Sequence, residues 1–307
     1  MVTPPAPAQP PTTAGRAALV PLDRFTTLAD GLDHPEGVAY GPDGHLYAGG
    51  EAGQLYRSTA PVRPPAPCQM QELASTGGFI LGLTLDASAN LYACDSRRRQ
   101  VVRVTPDGRV GTYSTGTAEH PLRTPNFPVF DRQGRLYVAD SGAWQAGDGR
   151  LYRIDPDGTT LVASTAPHRF PNGLALSPAG DWLYVAESTL PGVGRLPVRR
   201  DGSLGELEAV VALPGDVPDG LAFDVAGNLY ISCYRPDRIY RLSAVGELVV
   251  FGEDPAGTVL AAPTNVAFCG PGLEYLVAAS LGRWHLAAAP VEVPGQALQY
   301  PDLPPTS

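Results

Sequence analysis

Charge is scarce in this chain. Asp, Glu, Lys and Arg make up 17% of its 307 residues, and 22 basic against 31 acidic side chains leave a formal charge of −9. The largest basic cluster is Arg97-Arg98-Arg99. A protein that tracks a phosphate backbone needs a basic surface, so nucleic acid is not an expected partner. No apolar run approaches the roughly 20 residues that a membrane-spanning helix requires, so no membrane partner is expected. The N-terminus lacks a positive segment followed by an apolar stretch, which argues against a secretory signal and for a cytoplasmic location. Cys68, Cys94, Cys233 and Cys269 show no CxxC spacing, which argues against a thiolate zinc site. They are expected as free thiols, the last three inside strands. Without a Gly-x-Ser-x-Gly elbow, a serine hydrolase of that type is not expected. Long helical periodicity is missing as well.

Glycine (35) and proline (33) are abundant instead. That mix suits an all-β protein with many tight turns, because Gly supplies positive φ and Pro is kept out of central ladders. Residues 1–20 are rich in Pro, Ala and Thr and read as a disordered leader, with 301–307 as a tail. Between them one pattern recurs. Pro171-Asn172-Gly173-Leu174 leads to Leu183-Tyr184-Val185-Ala186, Pro218-Asp219-Gly220-Leu221 to Leu229-Tyr230-Ile231-Ser232, and Pro35-Glu36-Gly37-Val38 to Leu46-Tyr47-Ala48. The position ahead of each first strand is Glu36, Leu81, Asn126, Asn172, Asp219 and Asn265, at intervals of 45, 45, 46, 47 and 46 residues. Within a unit the apolar period is 2. Phe127–Phe130, Leu136–Asp140, Leu151–Ile154 and Thr160–Ala163 are separated by Asp/Gly turns, which reads as a four-stranded antiparallel meander. Six such units predict a six-bladed β-propeller over residues 21–300 as one domain. Phe25–Ala29 is expected to close the ring as the outer strand of the last blade, hiding two sheet edges. The segment after Pro294 is a candidate further edge strand.

In a propeller the first strand of each blade lines the axis. Glu36, Leu81, Asn126, Asn172, Asp219 and Asn265 therefore form a ring at one mouth. Taken singly, an Asn-Gly or Asp-Gly pair is most simply a turn. Taken together, two carboxylates and three amides crowd one funnel, where like charges need a counter-cation or a proton. The donors are all oxygen, which suits a hard divalent ion such as Ca²⁺, with Mg²⁺, Mn²⁺ or Zn²⁺ as alternatives.

On its Pro-Glu-Gly, Pro-Asn-Gly and Pro-Asp-Gly starts, the chain resembles the gluconolactonase and regucalcin (senescence marker protein) family. The wider circle of that family includes diisopropylfluorophosphatase and paraoxonase-like lactonases. The resemblance spans roughly residues 22–292 and implies metal ligands at Glu36, Asn172 and Asp219. It implies a role for Asn126 either on the metal or on its water and substrate, and makes Asp219 the general base or nucleophile. Two departures stand out: Asn126 is followed by Phe127-Pro128 where sugar-lactone members carry Asp-Gly, and Arg123 lies three residues ahead of it, one further than usual.

The expected activity is metal-dependent hydrolysis of a small lactone, hydrophobic or aromatic rather than sugar-like. Other esters and phosphotriesters are further candidates, and the protein is expected as a monomer or small homo-oligomer. Strictosidine-synthase-like non-hydrolytic chemistry and a non-catalytic calcium-binding or scaffold role are the alternatives. Arg123, Trp144, Phe127, His120 and His168 are the candidate substrate-binding residues, with Arg169, Phe79 and Phe170 near them. Ala139-Asp140-Ser141 and Ala186-Glu187-Ser188 recur at one blade position. They are therefore read as structural, capping the second strand and bonding between blades.

Overall fold

The computed structural model describes residues 17–303; most of the expected leader and the last four residues of the tail lie outside the described residues. Six four-stranded antiparallel sheets follow one another around an axis, each a meander from the inner strand outward. The inner strands are Val38–Tyr40, Ile80–Leu85, Pro125–Phe130, Pro171–Leu176, Val217–Phe223 and Pro263–Cys269. Two 3₁₀ turns, Leu22–Arg24 and Leu281–Arg283, are the helical elements among the described residues.

Local chemistry makes the hairpins. Asp86, Asp131 and Asp224 open the turn from first to second strand on their blades. Each accepts hydrogen bonds from backbone N–H groups two and four residues on, at 2.9–3.0 Å. This side-chain mimic of a backbone turn is why Asp recurs there. The second strand is covered by neighbouring blades on both faces, so Leu91–Asp95 and Leu136–Asp140 are buried at every position. The outer strand has only one packed side, and in Val110–Ser114 only the last residue is buried.

The sixth sheet is completed by the chain's start. Thr26–Ala29 pairs antiparallel with His285–Pro290, Thr26 opposite Ala288 and Thr27 opposite Ala287, as the sequence predicts. Ahead of it, Leu19 and Val20 donate to Val250 O and Phe251 O on the outer edge of blade five. The segment after Pro294 does not add an edge strand. It crosses the end of the propeller remote from the ring, where Gln296 N bonds Phe223 O, Ala87 N bonds Pro301 O and the Tyr300 hydroxyl bonds Tyr40 O. Together with the inner strands it encloses a cavity of about 70 Å³, so the axis is blocked on that side. All four cysteines are free, and Cys94, Cys233 and Cys269 are buried.

Candidate functional site

Breaks in strand register build the ring. On blade three, Pro125 pairs with Asp140 and Phe127 with Ala139, leaving Asn126 with no residue opposite. Blade four skips Asn172 and Gly173 between Pro171 and Leu174, and blade five skips Asp219 and Gly220 between Pro218 and Leu221. Such bulges release side chains from the alternation of the ladder and re-aim them. The Asn-Gly and Asp-Gly pairs are thus strand residues, and their glycines answer a different need. Gly37 and Gly173 do not have positive φ. A Cβ on Gly37 would stand 2.1 Å from Leu81 O, and one on Gly173 2.2 Å from Asp219 O. Adjacent inner strands meet too closely at the narrow end of the ring for any side chain there.

The recurring carboxylates fix the loops that lead into the ring. Asp140 accepts from Arg123 N (2.8 Å) and Thr124 N (2.6 Å), while Glu187 accepts from His168 N (3.1 Å) and Arg169 N (2.9 Å). The ring closes from blade six to blade one through Thr264 Oγ1, which donates to Glu36 O at 2.8 Å.

At the centre, oxygen atoms stand without partners. Glu36 Oε2, Asn172 Oδ1 and Asn265 Oδ1 are buried and make no hydrogen bond among the described residues. Asp219 is 6% exposed. Burial pushes both carboxyls up, Glu36 to about 7 and Asp219 well above the usual carboxylate range, and the Glu36 charge adds to the effect on Asp219. A buried polar atom without a partner carries its full desolvation cost. Two ionised carboxylates side by side add repulsion. Among the described residues no three His, Cys, Asp or Glu side chains are grouped as a metal site; what the ring supplies is two carboxylates and amide oxygens. That set matches the charge and hardness of Ca²⁺ and fits zinc poorly, since zinc favours His and Cys. Asn265 carries the same orphaned oxygen as Asn172, a parallel that a ligand set drawn from resemblance passes over.

The remaining expected residues occupy different places. Trp144 is 53% exposed on the turn between second and third strands of blade three and packs edge-on against Phe170, ring centres 4.8 Å apart. Phe170 holds φ 61, an uncommon backbone state for a bulky residue. His168 and Arg169 lie beside Gly147 of the same turn. Arg123 is paired with Asp148 of its own blade, so its guanidinium is already engaged. His120 is exposed, and its carbonyl takes the Tyr152 hydroxyl at 2.9 Å, on the third strand rather than the first. Phe79 is partly buried, its N–H held by Asp95 at 3.1 Å.

Phe127, expected at the substrate pocket, is 8% exposed; it packs in the core between blades three and four and also lines the axial cavity. One ring carbon lies 2.6 Å from where a Gly82 Cβ would be. The register skip at Asn126 leaves its neighbour in the wall. The apolar character of the mouth comes instead from the turns between second and third strands. Leu190 (59%) and Trp284 (50%) are exposed on blades four and six at the places corresponding to Trp144, and Tyr234 (36%) is exposed near the end of the second strand of blade five. Blade two presents Arg97, Arg98 and Arg99 at that turn.

Residues 53–282 match the family model described as SMP-30/Gluconolactonase/LRE-like region. Residues 21–58 match the strictosidine synthase-like N-terminal model. The 6-deoxy-6-sulfogluconolactonase of Pseudomonas putida is 29% identical over 269 residues, covering 80% of this chain and 86% of its own. Pentonolactonase XacC of Haloferax volcanii is 27% identical over 241 residues, covering 76% and 75%. Solved structures with this fold include regucalcin, a calcium-binding protein of Agrobacterium tumefaciens. It has a TM-score of 0.75 and 15% identity, covering 94% of this chain and 100% of that one. A gluconolactonase of Xanthomonas campestris reaches 0.73 with 23% identity, covering 88% and 89%. With the repeats, the fold and a model match over most of the propeller in agreement, the chain belongs to the SMP-30/gluconolactonase/LRE-like family.

Proposed function

We propose that this protein is a lactonase that depends on a divalent cation, Ca²⁺ by preference, held by Glu36, Asn172 and Asp219 with Asn126 beside them. The observation that carries the reading is the set of orphaned oxygens at the mouth: Glu36 Oε2 and Asn172 Oδ1 buried without partners, next to an Asp219 carboxyl driven toward protonation. The names of the Pseudomonas and Haloferax relatives support a lactone as substrate. When bound, the cation balances the two carboxylates and polarises the substrate carbonyl.

The chain's own residues do the rest. Asp219, free of hydrogen bonds among the described residues, takes a proton from water as the water oxygen adds to the lactone carbonyl. The C–O bond of the ring then breaks, the proton passes to the leaving alkoxide, and a hydroxy acid departs. The Asn126 amide has the role of orienting the water or the substrate carbonyl in this reading. Trp144 and Phe170, in edge-on contact, supply apolar surface at the rim, and the exposed Leu190, Tyr234 and Trp284 add apolar groups on other blades, which favours apolar lactones over polyhydroxylated ones. Arg169, His168 and His120 are assigned no step.

A lactone panel assayed with EDTA and with calcium restored tests the reading. Activity should vanish and return, and Asp219→Asn should lower turnover by about 10²–10⁴-fold, the range of a general base. Wild-type turnover by Asp219→Asn on every active lactone would refute the assignment. The strictosidine synthase-like match over residues 21–58 favours a second reading, non-hydrolytic chemistry on the same propeller. Turnover of a non-lactone substrate indifferent to EDTA would select it.

A further inference from the structure

We infer that Ser141 and Ser188 are positioning residues that lock the amides of Asn126 and Asn172 with their oxygens toward the axis. This inference rests on the proposed cation site and adds to it the device that aims its neutral donors. Each serine makes two hydrogen bonds. Ser141 Oγ lies 2.7 Å from Pro171 O and 3.0 Å from Asn126 Nδ2. Ser188 Oγ lies 2.7 Å from Pro218 O and 3.3 Å from Asn172 Nδ2. A hydroxyl has one proton, and a carbonyl oxygen can only accept. At 2.7 Å from a carbonyl the serine must donate there, because two acceptors at that distance would repel. Its remaining capacity is to accept, so the end of the asparagine facing it must be the NH₂. The proton count thus fixes which end of the amide faces the serine. The opposite end, the oxygen, is left for the funnel, and on Asn172 it is an orphan.

Blade five provides an internal control. Its ring residue is Asp219, which has no N–H to give. The position matching Ser141 and Ser188 is Tyr234, exposed at the rim. A serine recurs two residues earlier, as Ser232, and repeats half of the pattern: its Oγ lies 2.9 Å from Thr264 O in the next blade. Its accepting side takes the Gly220 backbone N–H at 3.0 Å rather than a ring side chain. Among the described residues no hydroxyl bonds the Asp219 carboxylate, whereas blade two keeps a serine, Ser96, at the matching position behind the apolar Leu81, where its Oγ donates to Phe79 O at 3.2 Å.

The carbonyls that receive these protons belong to the residues just ahead of the next ring members: Pro171 before Asn172, Pro218 before Asp219, Thr264 before Asn265. Each hydroxyl thus aims or steadies one ring position and anchors the backbone of the next. A merely structural serine would serve the second purpose alone. Both Ser141 and Ser188 are at most 2% exposed, so water cannot readily take their place.

Calcium titration calorimetry on wild type, Ser188→Ala and Ser188→Thr is the first arm of the test, with neutron diffraction of the deuterated wild type, free of added metal, as the second. Ser188→Ala should bind calcium 10–100-fold more weakly, the range for groups that orient ligands. Ser188→Thr, which keeps the hydroxyl, should recover most of the affinity. Ser141→Ala should raise KM or lower kcat, and Ser141→Thr, which keeps the hydroxyl, should recover most of the loss. In the neutron map the deuterated nitrogens of Asn126 and Asn172 should face Ser141 and Ser188. Unchanged calcium affinity in Ser188→Ala, or amide oxygens facing the serines, would overturn the inference. A wild type that binds no divalent ion would overturn the cation site instead, and the neutron map would still decide the amide orientation.

Discussion

Glu36→Gln should make the metal-free protein more stable at pH 8, the reverse of what a buried substitution usually does. In the fold, burial raises this carboxyl from 4.5 to about 7. That rise corresponds to on the order of 3 kcal/mol against ionisation, as an upper bound. Below pH 4.5 the group is protonated both folded and unfolded, and it costs nothing. As the pH rises toward 7 the unfolded chain ionises while the fold retains its proton, so stability falls; above 7 the full penalty is present. Glutamine has nearly the same shape and no charge, so it removes the penalty and the repulsion on Asp219. The melting temperature of Glu36→Gln in EDTA at pH 8 should exceed wild type by about 6 °C, taking roughly 2 °C per kcal/mol for a domain of this size. At pH 5 the gap should shrink to about 2 °C. Calcium should reverse the order at pH 8, raising the wild type and leaving the variant unchanged. A variant less stable than wild type at pH 8 in EDTA would show that the Glu36 carboxylate is not strained and that the reasoning is mistaken.

Gly173→Ala should destabilise the protein by about 2 kcal/mol, the usual scale for overpacking, because its Cβ would stand 2.2 Å from Asp219 O; a denaturant melt with an unchanged midpoint would contradict that contact. Since the displaced backbone carries Asp219, the same variant should also lose calcium affinity. Trp144→Ala should raise KM for apolar lactones by about 5-fold, equivalent to about 1 kcal/mol of lost contact, with kcat and the KM of gluconolactone unchanged. Equal effects on both substrates would remove the case for an apolar wall.

The repeat period made the propeller, its six blades and its closing strand legible, because four strands and four turns occupy a near-constant length and most turns carry a Gly or Asp. The ring positions stand out in the sequence for the same reason: only their residue type varies in a constant frame. What the sequence could not show is where side chains point after a bulge. Asn126-Phe127-Pro128 reads as a polar residue beside an apolar lining, and the register skip at Asn126 leaves Phe127 packed both in the inter-blade core and against the axial cavity. Arg123 reads as a free cation at the mouth until Asp148, 25 residues later, is brought against it. The segment after Pro294 has the composition of an edge strand, but its partners are the far ends of the inner strands on several blades. The serines after Asp140 and Glu187 were visible as a recurrence between blades, whereas their hold on the ring amides depends on two hydrogen bonds meeting at one oxygen.

If one cation holds the mouth of this propeller together electrically, a crystal structure grown with calcium will show it in place. The predicted result is one ion on the axis, 2.3–2.6 Å from oxygens of Glu36, Asn172 and Asp219, the distances typical of Ca²⁺. An axis empty at saturating calcium, with Glu36 and Asp219 sharing a proton between their carboxyls, would contradict it.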